Sequence, residues 1–175
     1  IIYTAAIMDD NPELIAARQS GVLTLERSEL LGLVTSWYSQ AICISGTHGK
    51  TTTSGMLTEI LLDAGEDPSA VVGGKLKSIG GSGRAGGSEL MVCEACEFKD
   101  TFLHLFPNTA VILNIDGDHM DYFKTMDNLI HSFTKFCEKT TDYIIYNGDD
   151  LNTRKAVEAA DTEAEFFTFG WSEDN

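Results

Sequence analysis

Apolar runs alternate with amphipathic segments along most of the chain. Near-continuous apolar runs predict strands that are buried on both faces, since such strands cannot alternate polar with apolar side chains. Apolar residues at helical spacing predict helices between these strands. The predicted strands are 41–45, 90–95, 109–115, 143–146 and 165–169, with 109–115 a central one, and the predicted helices are 50–62, 101–106, 129–137 and 151–160. This alternation predicts an α/β fold with a doubly wound, mostly parallel sheet.

Glycine positions mark interruptions in this pattern. Gly65 follows helix 50–62, as expected of a residue that commonly ends helices. Five glycines fall within residues 78–88. Because glycine weakens regular elements, this second segment predicts a flexible surface loop in front of strand 90–95.

The first 40 residues repeat the strand and helix pattern on a smaller scale. The predicted elements are a strand at 1–7, a helix opened by Asn11 and Pro12, a strand at 22–25 and a helix at 28–38. We interpret residues 1–40 as a partial, Rossmann-like segment from the end of an N-terminal domain, and 41–175 as the domain that contains the main sheet. The chain begins with Ile inside a predicted strand, so we expect it to be part of a longer protein.

Charge narrows the classes of partner. The 175 residues include 27 Asp and Glu against 12 Lys and Arg, a formal net charge of -15 that repels phosphate backbones and anionic lipids. No apolar run approaches the roughly 20 residues of a membrane span. We therefore expect a cytoplasmic globular protein that binds neither nucleic acid nor a membrane.

The loop between strand 41–45 and helix 50–62 is the clearest chemical motif. Small residues there let backbone N–H groups approach phosphate oxygens at the helix N-terminus, the Lys50 ammonium reaches the outer phosphates, and the Thr51 hydroxyl can bind Mg²⁺. Ile44 stands where a strict G-x-x-x-x-G-K-T motif has its first glycine, so the spacing is a variant. We predict a phosphate-binding loop, and its residues are Gly46, Thr47, His48, Gly49, Lys50, Thr51 and Thr52.

Further polar residues follow strands that end at the same sheet edge. Glu94 lies near the end of one predicted strand, and Asp118 and His119 come shortly after the next. Parallel α/β sheets bind ligands at this edge, so we expect these side chains near the phosphate-binding loop. Asp116 also ends an apolar strand and could serve as an acid of the Walker-B kind.

Other titratable residues receive no functional role. We expect Glu97 and Asp100 on the solvated side of the segment that carries them, while His104 and His131 fall on helices at ordinary spacing. We also expect Lys50 to be an exposed loop residue, so that Lys50→Ala would remove phosphate binding and leave the fold intact.

Several motifs together resemble the Mur ligase family, the ATP-dependent enzymes that add amino acids to the peptidoglycan precursor. The likeness covers almost the whole chain, and His48 inside the loop favours the branch that joins L-alanine to UDP-N-acetylmuramate. The motifs are the loop 46–52, Asp10-Asn11-Pro12-Glu13 with Ala16-Ala17-Arg18, Val72-Gly73-Gly74, Glu94-Ala95-Cys96-Glu97, and Asn114-Ile115-Asp116-Gly117-Asp118-His119-Met120-Asp121.

The resemblance implies ATP and Mg²⁺ as cofactors. It makes Lys50, Glu94 and His119 the catalytic residues, with Thr51 and Glu94 on one Mg²⁺ and His119 on a second. One or two carboxylates with phosphate oxygens suit Mg²⁺, whereas imidazole suits softer metals, so a loop histidine hydrogen-bonded to Asp118 or Asp121 is the alternative for His119. The implied reaction passes through an acyl phosphate.

The resemblance also implies domains outside this chain. Residues 1–40 would end an N-terminal UDP-binding domain, and 41–175 would be most of a central ATP-binding domain. The longer protein would bind UDP-N-acetylmuramate and L-alanine, and the chain alone would not form the amide bond.

Two other functions stay open on the sequence. One is a P-loop NTPase of another class, with Thr51 and Asp116 on one Mg²⁺, which would hydrolyse ATP without either ligase substrate to drive a conformational switch. The other is a nucleotide-binding module without catalysis.

Overall fold

The protein folds as two sheets with helices packed against them, and a computed structural model describes residues 1–173. The strands are β1 (Ile2–Tyr3), β2 (Leu25–Glu26), β3 (Gln40–Ser45), β4 (Ser69–Leu76), β5 (Gly81–Arg84), β6 (Leu90–Glu94), β7 (Thr109–Ile112), β8 (Tyr143–Asn147) and β9 (Glu165–Phe169). The helices are α1 (Pro12–Gln19), α2 (Arg27–Thr35), α3 (Lys50–Asp63), α4 (Met120–Phe123), α5 (Met126–Glu138) and α6 (Leu151–Glu158), with 3₁₀ segments at Lys77–Ile79 and Phe98–His104. None of these described helices has the length and apolar character needed to span a membrane.

The main sheet has seven strands in the order β5, β4, β6, β3, β7, β8, β9. Every neighbouring pair is parallel except β4 and β5, which are antiparallel. This arrangement confirms the predicted α/β fold with a mostly parallel sheet. The predicted strand 109–115 is an interior one as expected, although it ends at Ile112 and β3 occupies the middle of the sheet.

An aromatic cluster packs α5 against the 3₁₀ segment Phe98–His104. The ring of Phe102 stacks on Phe136 with centroids 4.8 Å apart and meets Phe133 edge-on at 5.2 Å. All three side chains are fully buried. Helix α5 is therefore amphipathic, as its sequence pattern predicts.

The first 40 residues form a separate two-stranded parallel sheet of β1 and β2 with two helices. The predicted strand 1–7 is shorter than expected because the chain turns after Tyr3, where the Ile7 amide donates to the Thr4 carbonyl. The predicted strand 22–25 is shifted to β2. Helix α2 begins at Arg27 because Glu26 and Glu29 form a capping box there.

The prediction of a flexible loop at 78–88 is wrong. This segment contains β5, which pairs with β4, itself not predicted. β5 is Gly-Ser-Gly-Arg and has no apolar side chain, so its pairing with β4 depends on backbone hydrogen bonds that the apolar pattern does not reveal. The apolar run of β4 is short because Gly73 and Gly74 follow Val72. The Arg84 guanidinium holds the end of the pair by donating to the Asp67 carboxylate and the Pro68 carbonyl.

Helix α3 packs through small residues. The helix is where the sequence places it, but Met56 and Ile60, two of its apolar residues, are exposed. The buried positions are instead Ser54, Gly55 and Thr58, which let the helix lie close to the sheet.

Helix α2 packs against the 3₁₀ segment Phe98–His104 through close backbone contact. The Ser28 hydroxyl is 2.7 Å from Nδ1 of His104, and the Phe106 amide donates to the Thr35 hydroxyl. A Cβ added at the buried Gly32 would overlap the backbone carbonyl of His104. The first 40 residues thus pack against the larger sheet domain at Gly32, where a side chain would not fit.

We expect Gly32→Ala to lower the free energy of unfolding by about 1–3 kcal/mol, the usual cost of overpacking. The helix propensity of alanine favours the opposite change by about 1 kcal/mol. Gly55→Ala is the matched control, because a Cβ at Gly55 would make only ordinary contact with Leu76. Urea unfolding of both variants measures the difference. Equal stability of the two variants would contradict the close contact at Gly32.

Candidate functional site

The loop 46–49 joins β3 to α3 at the carboxyl edge of the sheet. Gly46 has φ of +133°, a conformation that disfavours other residues, and a Cβ there would lie 3.0 Å from the Asn114 carbonyl oxygen. The amide of Thr47 donates to the same carbonyl at 2.9 Å. The loop therefore lies directly against the chain that follows β7.

Asn114 and Asp116 hold the loop in this shape. The Asn114 side chain accepts from the His48 amide at 2.8 Å and donates to the His48 carbonyl at 3.0 Å. The Thr47 hydroxyl accepts from the Asp116 amide at 2.9 Å. Asp116, the candidate Walker-B acid, thus contributes its backbone to the loop, while its exposed carboxylate lies 3.7 Å from Nε2 of His48.

The N-terminus of α3 opens into this loop. Gly49 precedes the helix with φ of +88° and has no side chain that could cap the first helical amides. A cavity of about 230 Å³ lies there, lined by Thr47, Gly49, Lys50, Thr51 and Thr52. Uncapped amides at the positive end of a 14-residue helix form an anion-binding site, so this cavity suits a phosphate group.

Lys50 differs from the sequence-based expectation, because it is paired rather than exposed. Its Nζ donates to both oxygens of Glu97, at 2.9 and 3.2 Å, and to the carbonyls of Gly46 and Thr47 at 2.5 and 3.2 Å. Glu97 is 1% exposed, so the expectation that it lies on the solvated side is wrong. Glu97 is the last residue of Glu94-Ala95-Cys96-Glu97, one of the motifs that resemble the Mur ligase family. Membership of that motif is the one sequence signal that could have identified Glu97 as a site residue.

Glu94, at the end of β6, lies next to Thr51, at the start of α3, as the sequence predicts. The Thr51 hydroxyl donates to Oε1 of Glu94 at 3.1 Å, and the Gly73 amide donates to Oε2 at 2.6 Å. This hydroxyl and carboxylate are the ligand types that Mg²⁺ takes together with phosphate oxygens and water. The pair therefore fits the metal that the sequence motif implies.

His119 is not hydrogen-bonded to the Thr51–Glu94 pair. Its ring packs on that of Phe98 with centroids 4.7 Å apart, and its Nδ1 is 3.8 Å from Oδ1 of Asp118. Within residues 1–173, no hydrogen bond or ion pair joins His119 to Thr51 or Glu94, and no three His, Cys, Asp or Glu side chains are grouped to hold a metal. A metal at His119 would need phosphate oxygens and water for its other ligands.

Asp100 anchors the segments next to His119, a role that the sequence did not reveal. The Tyr122 hydroxyl donates to Oδ2 of Asp100 at 2.7 Å, and the Ser132 hydroxyl donates to Oδ1. The hydrogen bond to Asp100, with some burial, raises the pKa of Tyr122 to about 12. Asp100 thereby connects the segment after β6 to both α4 and α5.

We expect Gly73→Ala to displace Glu94 without unfolding the protein. A Cβ at Gly73 would overlap both carboxylate oxygens of Glu94, but these are the end of a flexible side chain that can rotate away. The loss of stability should be about 0.5 kcal/mol or less. The affinity for Mg²⁺ with an ATP analogue should fall about tenfold, the usual effect of disturbing a ligand's support.

Calorimetric titration with and without Mg²⁺ measures this change. Gly83→Ala is the control, since its Cβ would lie 3.6 Å from the Ala70 carbonyl oxygen in ordinary contact. Unchanged Mg²⁺ dependence in Gly73→Ala would contradict a metal-binding role for Glu94.

The chain matches a known family over most of its length. The family model of the Mur ligase middle domain matches residues 44–175. The chain therefore belongs to the Mur ligase family. It is 48% identical over 172 residues to the UDP-N-acetylmuramate–L-alanine ligase of Lachnospira eligens, covering 97% of this chain and 37% of that protein. It is 42% identical over 175 residues to the same-named ligase of Caldanaerobacter subterraneus, covering 99% of this chain and 38% of that protein.

Solved structures agree with this assignment. The UDP-N-acetylmuramate–alanine ligase of Thermotoga maritima matches with a TM-score of 0.80 and 26% identity, over 97% of this chain and 38% of that one. A MurF ligase of the same organism, crystallised in complex with ADP, shares the fold with a TM-score of 0.65 and 16% identity, over 95% of this chain and 47% of that one. The chain spans less than two fifths of the length of the L-alanine ligases that it matches.

Proposed function

We propose that this chain is the ATP-binding part of a cytoplasmic ligase that joins L-alanine to UDP-N-acetylmuramate in peptidoglycan precursor synthesis. The main support is the arrangement at the start of α3, where a cavity lined by Thr47, Gly49, Lys50, Thr51 and Thr52 lies beside the Thr51–Glu94 pair. The identity of 42–48% to L-alanine ligases supports the choice of substrates.

ATP and Mg²⁺ are the proposed cofactors. The helix amides and Lys50 would hold the phosphates, Thr51 and Glu94 would hold one Mg²⁺, and His119 would contribute to a second. The metal supplies positive charge where the phosphates would otherwise repel an incoming anion.

This positive charge is what the reaction needs. In the proposed reaction the carboxylate of UDP-N-acetylmuramate attacks the γ-phosphate of ATP and releases ADP. The amine of L-alanine then displaces phosphate from the resulting acyl phosphate and loses a proton as the amide forms. Two negative charges about 4 Å apart repel by about 4 kcal/mol at an effective dielectric constant near 20. Lys50 would donate a hydrogen bond to a phosphate oxygen at the loop, and the cavity at the start of α3 would hold the phosphates.

The domain boundary near residue 40 is also part of this proposal. The small sheet of β1 and β2 is separate from the main sheet, and the family match begins at residue 44. Residues 1–40 would end a UDP-binding domain, and 41–175 would be the central ATP-binding domain. Binding groups for uridine and alanine would then lie in other parts of the whole ligase.

Phosphate release by the whole ligase tests this function. We expect release from ATP to require both UDP-N-acetylmuramate and L-alanine, with the alanylated nucleotide sugar as product. ATP hydrolysis that proceeds equally well without either substrate would contradict the ligase and favour an NTPase that drives a conformational switch.

A further inference from the structure

Glu97 is a buried carboxylate that has no role in the proposed reaction. Among the described residues, Lys50 is the one hydrogen-bonding partner of its side chain, and both carboxylate oxygens lie within 3.2 Å of Nζ. The Lys50 side chain is 13% exposed and that of Glu97 is 1% exposed. The pair is therefore shielded from water, where a charge without a partner is unfavourable.

The turn that carries Glu97 is fixed from several sides. The Ala95 amide donates to the Ile44 carbonyl, which keeps the chain beside β3 after β6 has ended. Lys99 and Asp100 then adopt φ of +53° and +59°, which is unusual for residues with side chains. The Lys99 ammonium donates to the Ala5 carbonyl, while Asp100 is held by Tyr122. Glu97 is thus presented to Lys50 by an anchored backbone.

The donors of Lys50 are fully used in this arrangement. An ammonium group has three N–H donors, and the acceptors around Nζ are the Glu97 carboxylate and the carbonyls of Gly46 and Thr47. A phosphate oxygen can bind Nζ only if one of these acceptors is given up. The carbonyls are neutral, whereas Glu97 would be left as a buried, unpaired charge, so a carbonyl is the acceptor that yields.

We propose that Glu97 is the positioning residue of Lys50: it holds the ammonium at the phosphate-binding loop and keeps hold of it when a phosphate replaces a loop carbonyl. This inference rests on the proposed function in that Lys50 binds a phosphate of the nucleotide. In this arrangement Glu97 would act through Lys50, its hydrogen-bonding partner, rather than on the phosphate itself.

Spectra of the Lys50 ammonium group test the proposal. In the chain labelled with ¹⁵N-lysine, we expect an exchange-protected Nζ signal that Lys50→Arg removes. The signal should shift but persist when Mg²⁺ and a non-hydrolysable ATP analogue are added. In Glu97→Gln it should be lost while the backbone amide spectrum is retained, and affinity for the analogue should fall at least about tenfold. Glu158→Gln, which removes an exposed charge from α6, should change neither.

Several results would overturn the proposal. A retained Lys50 signal in folded Glu97→Gln would do so, as would unchanged affinity of that variant for the ATP analogue. Higher affinity would also overturn it, because Glu97 would then hold the lysine away from phosphate. If Glu97→Gln does not fold, Glu97→Asp keeps the charge but withdraws it by one methylene, and the same two measurements apply. A wild-type chain that binds no analogue would contradict the proposed function, and the spectra without ligand would still show whether Glu97 fixes Lys50.

Discussion

Lys50→Ala is expected to destabilise the fold by about 3 kcal/mol as well as to abolish phosphate binding. Removing one partner of a buried ion pair leaves the other as an uncompensated charge, which costs about 3–5 kcal/mol in known cases. Here that charge would be Glu97, which is 1% exposed. The sequence alone predicts an intact fold, because a loop lysine has no evident partner.

Urea unfolding of Lys50→Ala and of Lys50→Ala with Glu97→Gln separates the two effects. The double variant should recover most of the lost stability, since neither position of the pair then carries a charge, but it should not recover phosphate binding. Lys155→Ala, at an exposed position of α6, is the control and should change the free energy of unfolding by about 0.5 kcal/mol or less. A single variant as stable as wild type would contradict the buried pair.

Gly46→Ala is expected to have the second largest effect, through the shape of the loop. Alanine disfavours the φ of +133°, and its Cβ would lie within 3.1 Å of Asn114 and Leu113 atoms. Strained backbone of this kind costs about 1–3 kcal/mol. Because the loop would move to relieve the strain, affinity for an ATP analogue should fall by about tenfold or more, tenfold being the equivalent of 1.4 kcal/mol.

Calorimetry and thermal unfolding measure both consequences of Gly46→Ala. Gly81→Ala is the matched control, because it lies at a position without positive φ where a Cβ would meet no atom within 4 Å. Nucleotide affinity that is the same in both variants would show that the loop shape does not depend on Gly46.

The sequence predicts best those parts whose pattern is local. The apolar runs of β3, β6, β7 and β8 are continuous enough to identify buried parallel strands. The phosphate-binding loop is identified because its glycines, Lys50 and Thr51 are consecutive. The meeting of Glu94 with Thr51 follows from the shared edge of parallel strands, although 43 residues separate them.

The parts that the sequence does not predict depend on contacts between distant segments. Glu97 looks like a surface residue until the turn after β6 places it beside Lys50. Likewise, Asp100 accepts hydrogen bonds from Tyr122 and Ser132 only because α4 and α5 pack on the same turn. The pairing of β4 with β5 is hidden for another reason, since it depends on backbone groups that every residue has.

The proposed function requires that the loop 46–52 bind the phosphates of ATP with Mg²⁺. A crystal structure of this chain with Mg²⁺ and a non-hydrolysable ATP analogue tests it most directly. We expect phosphate oxygens on the first amides of α3 and Mg²⁺ at Thr51 and Glu94. Nζ of Lys50 should lie within hydrogen-bond distance of a phosphate oxygen and still be bonded to Glu97. An analogue bound elsewhere on the chain, with the loop and Lys50 unchanged, would contradict it.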